Sequence, residues 1–317
     1  MKITRKNKSL TKKAFTLVEL LVVIAIIGIL SALIVVAMNG SVTKARIAKA
    51  QSYSNSLRNA IMGSFEGDWS LDGTGNDVWN NVTGTLTNTP TAETDCAQNT
   101  CYSFAAASSE YVTTPNALGV YSITTNPMTA MIWVKGASQV GKTFFANWDT
   151  TTPAYKEAWK IYSTTGGALR VAIADTTTQT NQKDYSALSN IALDSTWHLV
   201  GFSWSGGGGT LTLYIDGTAI ADGTLTKNTD LAVASINANG TTAYAPITIA
   251  CDMANNVAAN FFNGSLDSAR LYAAAVPTSQ IKEMYYAGLN KLVAEGQMTQ
   301  EEYQGRIAGL GSSIASK

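Results

Sequence analysis

The chain has 317 residues, with 22 acidic and 22 basic side chains and a single histidine. Charged residues make up 14% of it, well below the roughly 25% usual for soluble globular domains. Zero net charge, with basic residues concentrated only at the extreme N-terminus, excludes the positive footprint of a nucleic-acid binder, and one histidine with no second ligand beside it argues against zinc.

The N-terminal stretch carries Lys2, Arg5, Lys6, Lys8, Lys12 and Lys13 and no acid, and an apolar run follows at once. The positive-inside rule keeps such an end in the cytoplasm. From Phe15 to Met38 the run is long enough as a helix, at roughly 1.5 Å per residue, to cross a hydrocarbon core of about 30 Å. It is longer than the core of a cleaved secretory signal, and helix formers without proline continue it to about Met62. Glu19 interrupts the apolar pattern. A carboxylate at mid-membrane costs about 2.5–3.5 kcal/mol, so it marks function and needs a partner. No Lys or Arg follows it within the run. A cut before Phe15 would create an α-amino group within about a turn of Glu19, at the helix end that favours negative charge.

The stretch "KKAFTLVELLVVIAIIGILSALI" resembles the N-terminus of type IV prepilins and type II secretion pseudopilins. The resemblance implies that a prepilin peptidase cuts between Ala14 and Phe15 and methylates the new amine. Phe15 would then meet Glu19 of a neighbouring subunit in a filament of pilin subunits. Ala14 stands where that family usually has Gly, which implies slower cutting, and Val36 lies near where many pilins have a helix-loosening Pro.

Beyond Met62 the pattern changes. Cys96 and Cys101 lie in the polar stretch "TDCAQNTC", which reads as a local disulfide clip or as two free thiols, while Cys251 in "ITIACDM" reads as a buried apolar residue. Period-two runs follow: "TAMIWVKGA", "KTFFANWD", "EAWKIYS", "LRVAIADTT", "HLVGFSWS", "TLTLYIDG", "PITIACDM" and "SARLYAAAV". Short strands separated by Gly, Asn, Asp and Pro predict a mainly β domain, an antiparallel two-sheet sandwich. Asp216-Gly217 supplies a tight turn.

"STWHLVGFSWSGGGGTLTLYIDGTAIADG" and "FFNGSLDSARLYAAAVPTSQIKEMYYAG" are similar to laminin-G-like members of the concanavalin A-like lectin/glucanase superfamily. That resemblance implies a jelly roll over residues 65–288. Glucanases of that superfamily use carboxylates on alternate residues of one strand. Glu157 stands alone and Asp267 has no acid two positions away, so no catalytic residue is expected. His198 reads as structural. Calcium needs clustered oxygens, and Asp72, Asp77, Asn80 and Asp267 are its candidates, although the segment that relatives write with an Asp and a Gly is here "FAAASSEYV". Trp69, Trp79, Trp148 and Trp159 are candidate stacking faces for a glycan.

At the C-terminus, Pro277 suits a helix start, Gly296 a stop, and Thr299 with Glu302 a capping box. They predict a helical hairpin packed on the sandwich or on a neighbour. The expected organisation is a leader (residues 1–14), a pilin-like helix (15–62), the sandwich (65–288) and a helical tail (289–317). The function expected is a type IV pilin-like subunit. It starts in the inner membrane with a cytoplasmic N-terminus, then displays the sandwich outside the cell for adhesion to glycans or other surface ligands. The alternative is a pseudopilin of a secretion or DNA-uptake machine, with a structural globular domain.

Overall fold

A computed structural model of the chain describes residues 17–29, 52, 64–115, 127–150, 158–164, 168–174, 182–187, 193–206, 210–220, 225–227 and 245–312. The chain divides into two units, Met1–Lys49 and Ala50–Lys317. In the first, residues 17–29 form helix α1, with its apolar side chains exposed. Apart from residue 52, the remainder of the predicted 15–62 helix lies outside the described residues, as do Ala14, Phe15 and Val36. Among the described residues no helix is long and apolar enough to cross a membrane.

The second unit is a sandwich of two antiparallel sheets. The first sheet has the order β13 (Thr218–Ala219), β12 (Leu211–Ile215), β11 (His198–Trp204), β6 (Met128–Lys135), β18 (Gly264–Tyr272), β4 (Cys101–Phe104), β3 (Thr91–Glu93), and β1 (Phe65–Trp69) also pairs with β18. The second has the order β14 (Leu225–Lys227), β10 (Gln182–Ala187), β9 (Leu169–Ala174), β8 (Trp159–Ser163), β7 (Thr143–Asn147), β15 (Ile247–Ile249), β5 (Tyr111–Thr114), β2 (Thr85–Thr87). A separate hairpin joins β16 (Asp252–Ala254) to β17 (Val257–Ala259).

The alternation of side chains along each strand explains the layering. In β6, Met128, Ala130, Ile132 and Val134 enter the main core between the sheets, while Met131 and Trp133 enter a second core on the opposite face. A strand buried on both faces reads as the unbroken apolar run seen in "MIWV". The second core is closed by α2 (Thr278–Ala294), whose Ile281, Tyr285, Leu289 and Leu292 recur at helical spacing and face the first sheet. The helical hairpin thus rests on the domain's own sandwich, the choice that the sequence leaves open.

Local chemistry sets the boundaries of these elements. Pro277 caps α2, and Gly296 with φ of 76° follows its end. Thr299 and Glu302 exchange hydrogen bonds as a capping box at the start of α3 (Gln300–Ser312), at 2.9 Å and 3.1 Å. Arg306 of α3 donates to the Trp197 carbonyl and to the Thr196 hydroxyl, both at 2.8 Å, which fastens α3 beside the entry to β11. Between β12 and β13, Asp216 and Gly217 have φ of 52° and 74°, the paired positive values of a type I′ hairpin.

Candidate functional site

The two sheets differ in what covers their outer faces. The first carries α2 and the second core. On the second, Ala146 of β7, Trp148 just beyond it and Ala172 of β9 form a small cluster with Tyr162 of β8. Alternation in "WKIYS" sends Trp159 and Ile161 into the main core and turns Lys160 and Tyr162 outward. Lys160 Nζ lies 4.7 Å from the ring centres of both Trp148 and Tyr162, and the Arg170 guanidinium lies 5.9 Å from Tyr162. Such contacts contribute about 0.5–2 kcal/mol each, according to desolvation.

Asp252, at the start of β16, holds this face together. Its Oδ2 pairs with Lys160 Nζ at 3.0 Å and accepts the Thr143 hydroxyl at 3.1 Å, and its Oδ1 accepts Asn260 Nδ2 at 2.8 Å. Next to it, Trp148 Nε1 and Asp149 Oδ2 are buried without a hydrogen-bond partner, and Trp159 Nε1, in the main core, shares that state. Such groups cost roughly 1–3 kcal/mol each when left dry, so the first two mark a place where a polar partner would be gained.

Of the candidate tryptophans, Trp69 and Trp159 belong to the main core, Trp148 lies beneath Lys160, and Trp79 is 38% exposed beside Phe65, 5.2 Å between ring centres. Glu157 lies outside the described residues. Sequence reasoning does not single out Lys160, Tyr162, Arg170 or Asp149. The alternation of "WKIYS" was a usable signal for the first two, but nothing local links Lys160 to Asp252.

The calcium candidates serve the backbone. Asp72 accepts the Thr100 N–H and the Asn99 side-chain amide, each at 3.0 Å. Asp77, fully buried, accepts the N–H groups of Asp68 and Trp79 at 2.9 Å and Asn80 Nδ2 at 2.7 Å. Asp267 accepts the Gln98 N–H at 2.6 Å and the Ser268 hydroxyl at 3.0 Å, and burial pushes its carboxyl up to about 8. Asp72 and Asp267 thereby grip the loop closed by the Cys96–Cys101 disulfide. Asp77 and Asn80 bond to each other, whereas Asp72 and Asp267 meet at the disulfide loop, so the four candidates fall into two pairs. Among the described residues, no three His, Cys, Asp or Glu side chains are grouped to hold a metal ion. Cys251 is free and buried, and burial pushes its thiol far up.

His198 bridges two carboxylates. Its Nδ1 meets Asp216 Oδ2 at 2.8 Å and its Nε2 meets Asp194 Oδ1 at 3.2 Å. Burial alone would lower its pKa, but the Asp216 and Asp194 carboxylates outweigh burial and raise it above the ordinary 6.5. Stability from this raised value is fully present below pH 6.5 and is lost as pH rises through the folded value. The unfolding temperature should therefore include a term that falls as pH rises above 6.5, and His198→Gln should flatten that slope. Differential scanning calorimetry across this range checks it.

On α1, Glu19 is exposed in the unit as described.

With this geometry in place, comparison with known proteins becomes specific. Residues 106–282 match the concanavalin A-like lectin/glucanases superfamily, and residues 10–35 match the prokaryotic N-terminal methylation motif. No curated protein sequence matches the chain. The fold is similar to the binding domain of Paraclostridial Mosquitocidal Protein 1, with 14% identity and a TM-score of 0.55 over 73% of this chain and 53% of that one. It is also similar to the botulinum neurotoxin serotype D ligand-binding domain in complex with N-acetylneuraminic acid, with 12% identity and a TM-score of 0.52 over 74% and 53%. Domain 4 of AbnA, an extracellular GH43 arabinanase from Geobacillus stearothermophilus in complex with arabinotriose, has 17% identity and a TM-score of 0.50 over 70% and 98%. The chain spans about half the length of the toxin binding domains. These identities carry the fold alone.

Proposed function

Because the chain belongs to the concanavalin A-like lectin/glucanase superfamily, through residues 106–282, we propose that its sandwich binds carbohydrate on the cell exterior as part of a type IV pilin-like filament. The observation that carries this reading is the methylation motif at residues 10–35 on the same chain as that domain. A prepilin peptidase would cut before Phe15, and the new amine would meet Glu19 of the next subunit. The membrane is then the site of the precursor, and the filament the site of the mature chain. The role is assembly and recognition, without catalysis.

The outer face of the second sheet is the recognition surface on this reading. Tyr162 and Arg170, both part-exposed, present a ring face and a guanidinium, with Trp148 packed in the same cluster as Tyr162. Sugars carry hydroxyls that both donate and accept, together with apolar C–H faces that stack on rings. The bound arabinotriose of the AbnA domain and the bound N-acetylneuraminic acid of the neurotoxin domain support the class of ligand.

Purified full-length protein on a glycan array tests the proposal. Retention of a defined set of glycans, weakened about threefold to tenfold by Tyr162→Ala, is expected. A folded protein that retains no glycan would overturn the recognition half. Filaments absent from the surface, with secretion lost on deletion, would replace the filament half by a pseudopilin role.

A further inference from the structure

We propose that Lys160 and Asn260 become joined by a side-chain amide bond, with Asp252 carrying the proton from the attacking nitrogen to the leaving one. This goes beyond glycan recognition and does not depend on it. A single carboxylate bridges the two partners: Asp252 Oδ2 is 3.0 Å from Lys160 Nζ, and Oδ1 is 2.8 Å from Asn260 Nδ2. Its side chain is 2% exposed and that of Lys160 13%. The rings of Trp148 and Tyr162, each 4.7 Å from Nζ, screen the amine from water. The Thr143 hydroxyl, donating to Oδ2 at 3.1 Å, fixes the carboxylate's orientation. Asn260 is itself exposed, so its leaving group has a route to solvent.

The step balances without a co-reactant. Asp252 Oδ2 accepts a proton from the Lys160 ammonium, and the neutral Nζ attacks Cγ of Asn260. Asp252 then delivers a proton to Nδ2 and takes the remaining acidic proton from Nζ. The Cγ–Nδ2 bond breaks as the Cγ–Nζ bond is kept, and ammonia departs, leaving with Asp252's last proton as ammonium. Of the five hydrogens on the two nitrogens, one stays on the new amide and four leave on ammonium. Nothing is oxidised or reduced. Asp252 holds the amine and the amide on its two oxygens, and gathering them on one carboxylate raises their effective concentration.

The position of the bond suits a subunit under tension. Lys160 lies in β8, within the sheet proposed to bind ligand, and Asn260 precedes β18, the strand that pairs with β1. A covalent tie there would join β8 to the chain just ahead of β18, so that pulling could not part those two segments by stripping hydrogen bonds one by one.

The test is tryptic digestion and mass spectrometry of full-length protein extracted from membranes. A joined pair, residues 157–170 with residues 228–270, is expected with Lys160 uncleaved and a mass lower than the two peptides' sum by one ammonia. Asp252→Ala and Lys160→Arg should each return residues 228–270 unlinked and residues 157–170 cut after position 160, and circular dichroism of each variant separates lost chemistry from lost folding. Wild-type protein that is folded and yields residues 157–160, 161–170 and 228–270 as three separate peptides would overturn the proposal even if neither variant folds.

Discussion

Glu19→Ala is expected to leave the chain inserted in the membrane and to abolish filaments that contain it. Removing the carboxylate lowers the insertion cost by about 2.5–3.5 kcal/mol, so the anchor itself becomes more favourable. What is lost, on the proposed reading, is the charge pair with the methylated amine of a neighbouring Phe15. Breaking a buried pair from one side costs about 3–5 kcal/mol, more than a hundredfold in an association constant, because the amine is left uncompensated among apolar helices. On the same reading the pair would also fix the axial stagger between subunits, one amine meeting one carboxylate. Membrane fractionation should therefore find the variant where the wild type is, while electron microscopy finds no filaments of it. Normal filaments from the variant would remove the pairing from the account.

Gly288→Ala is expected to destabilise the sandwich by overpacking the interface between α2 and the first sheet. Gly288 lies on the face of α2 that meets the first sheet, and a Cβ there would come 2.1 Å from Cζ2 of Trp133. Trp133 has little room to retreat: it is 1% exposed, belongs to the central strand β6, and stacks on Tyr285 with ring centres 5.7 Å apart. Overpacking of this kind costs about 1–3 kcal/mol, and the helix preference for Ala over Gly, about 1 kcal/mol, offsets only part of it. Gly305 in α3 is the control, because a Cβ there meets nothing within 4 Å. Gly305→Ala should raise stability by up to about 1 kcal/mol. Urea unfolding of the two variants should move in opposite directions, and a shift of the same sign for both would contradict the packing described.

The parts of the fold that the sequence shows are those written in local periodicity. "HLVGFSWS" and "TLTLYIDG" alternate and are separated by a glycine run, and they pair as β11 and β12. Pro277, Gly296 and the Thr299–Glu302 pair mark the helix ends that the structure has. The strands that escape the pattern are short or polar. β2 and β3 have three residues each, too few for a period, and β16 and β17 are a hairpin whose signal is the Asn255-Asn256 turn with φ of 52° and 60°. Sheet order is not local at all. β1 finds β18 some two hundred positions along the chain, and β18 pairs with β6 through a bulge between Asp267 and Arg270.

The same division holds for the candidate site. Glu19 stands out in the sequence because a charge in an apolar run has one inexpensive explanation. The acids proposed for calcium stood out too, but Asp72 and Asp267 turn out to bind backbone N–H groups of the disulfide loop, a role that depends on distant β18. Lys160, Asp252 and Asn260 carry no mark individually. Asp252 begins β16 and Asn260 directly follows β17, and the pairing of that hairpin sets both beside Asp252's partner Lys160, about a hundred positions earlier.

Mass spectrometry of the mature N-terminus tests the central claim most directly. Protein purified from cells that contain the processing enzyme should begin at Phe15 with its amine methylated. A chain that instead begins at Met1, with the basic leader intact, would contradict the account of processing and assembly.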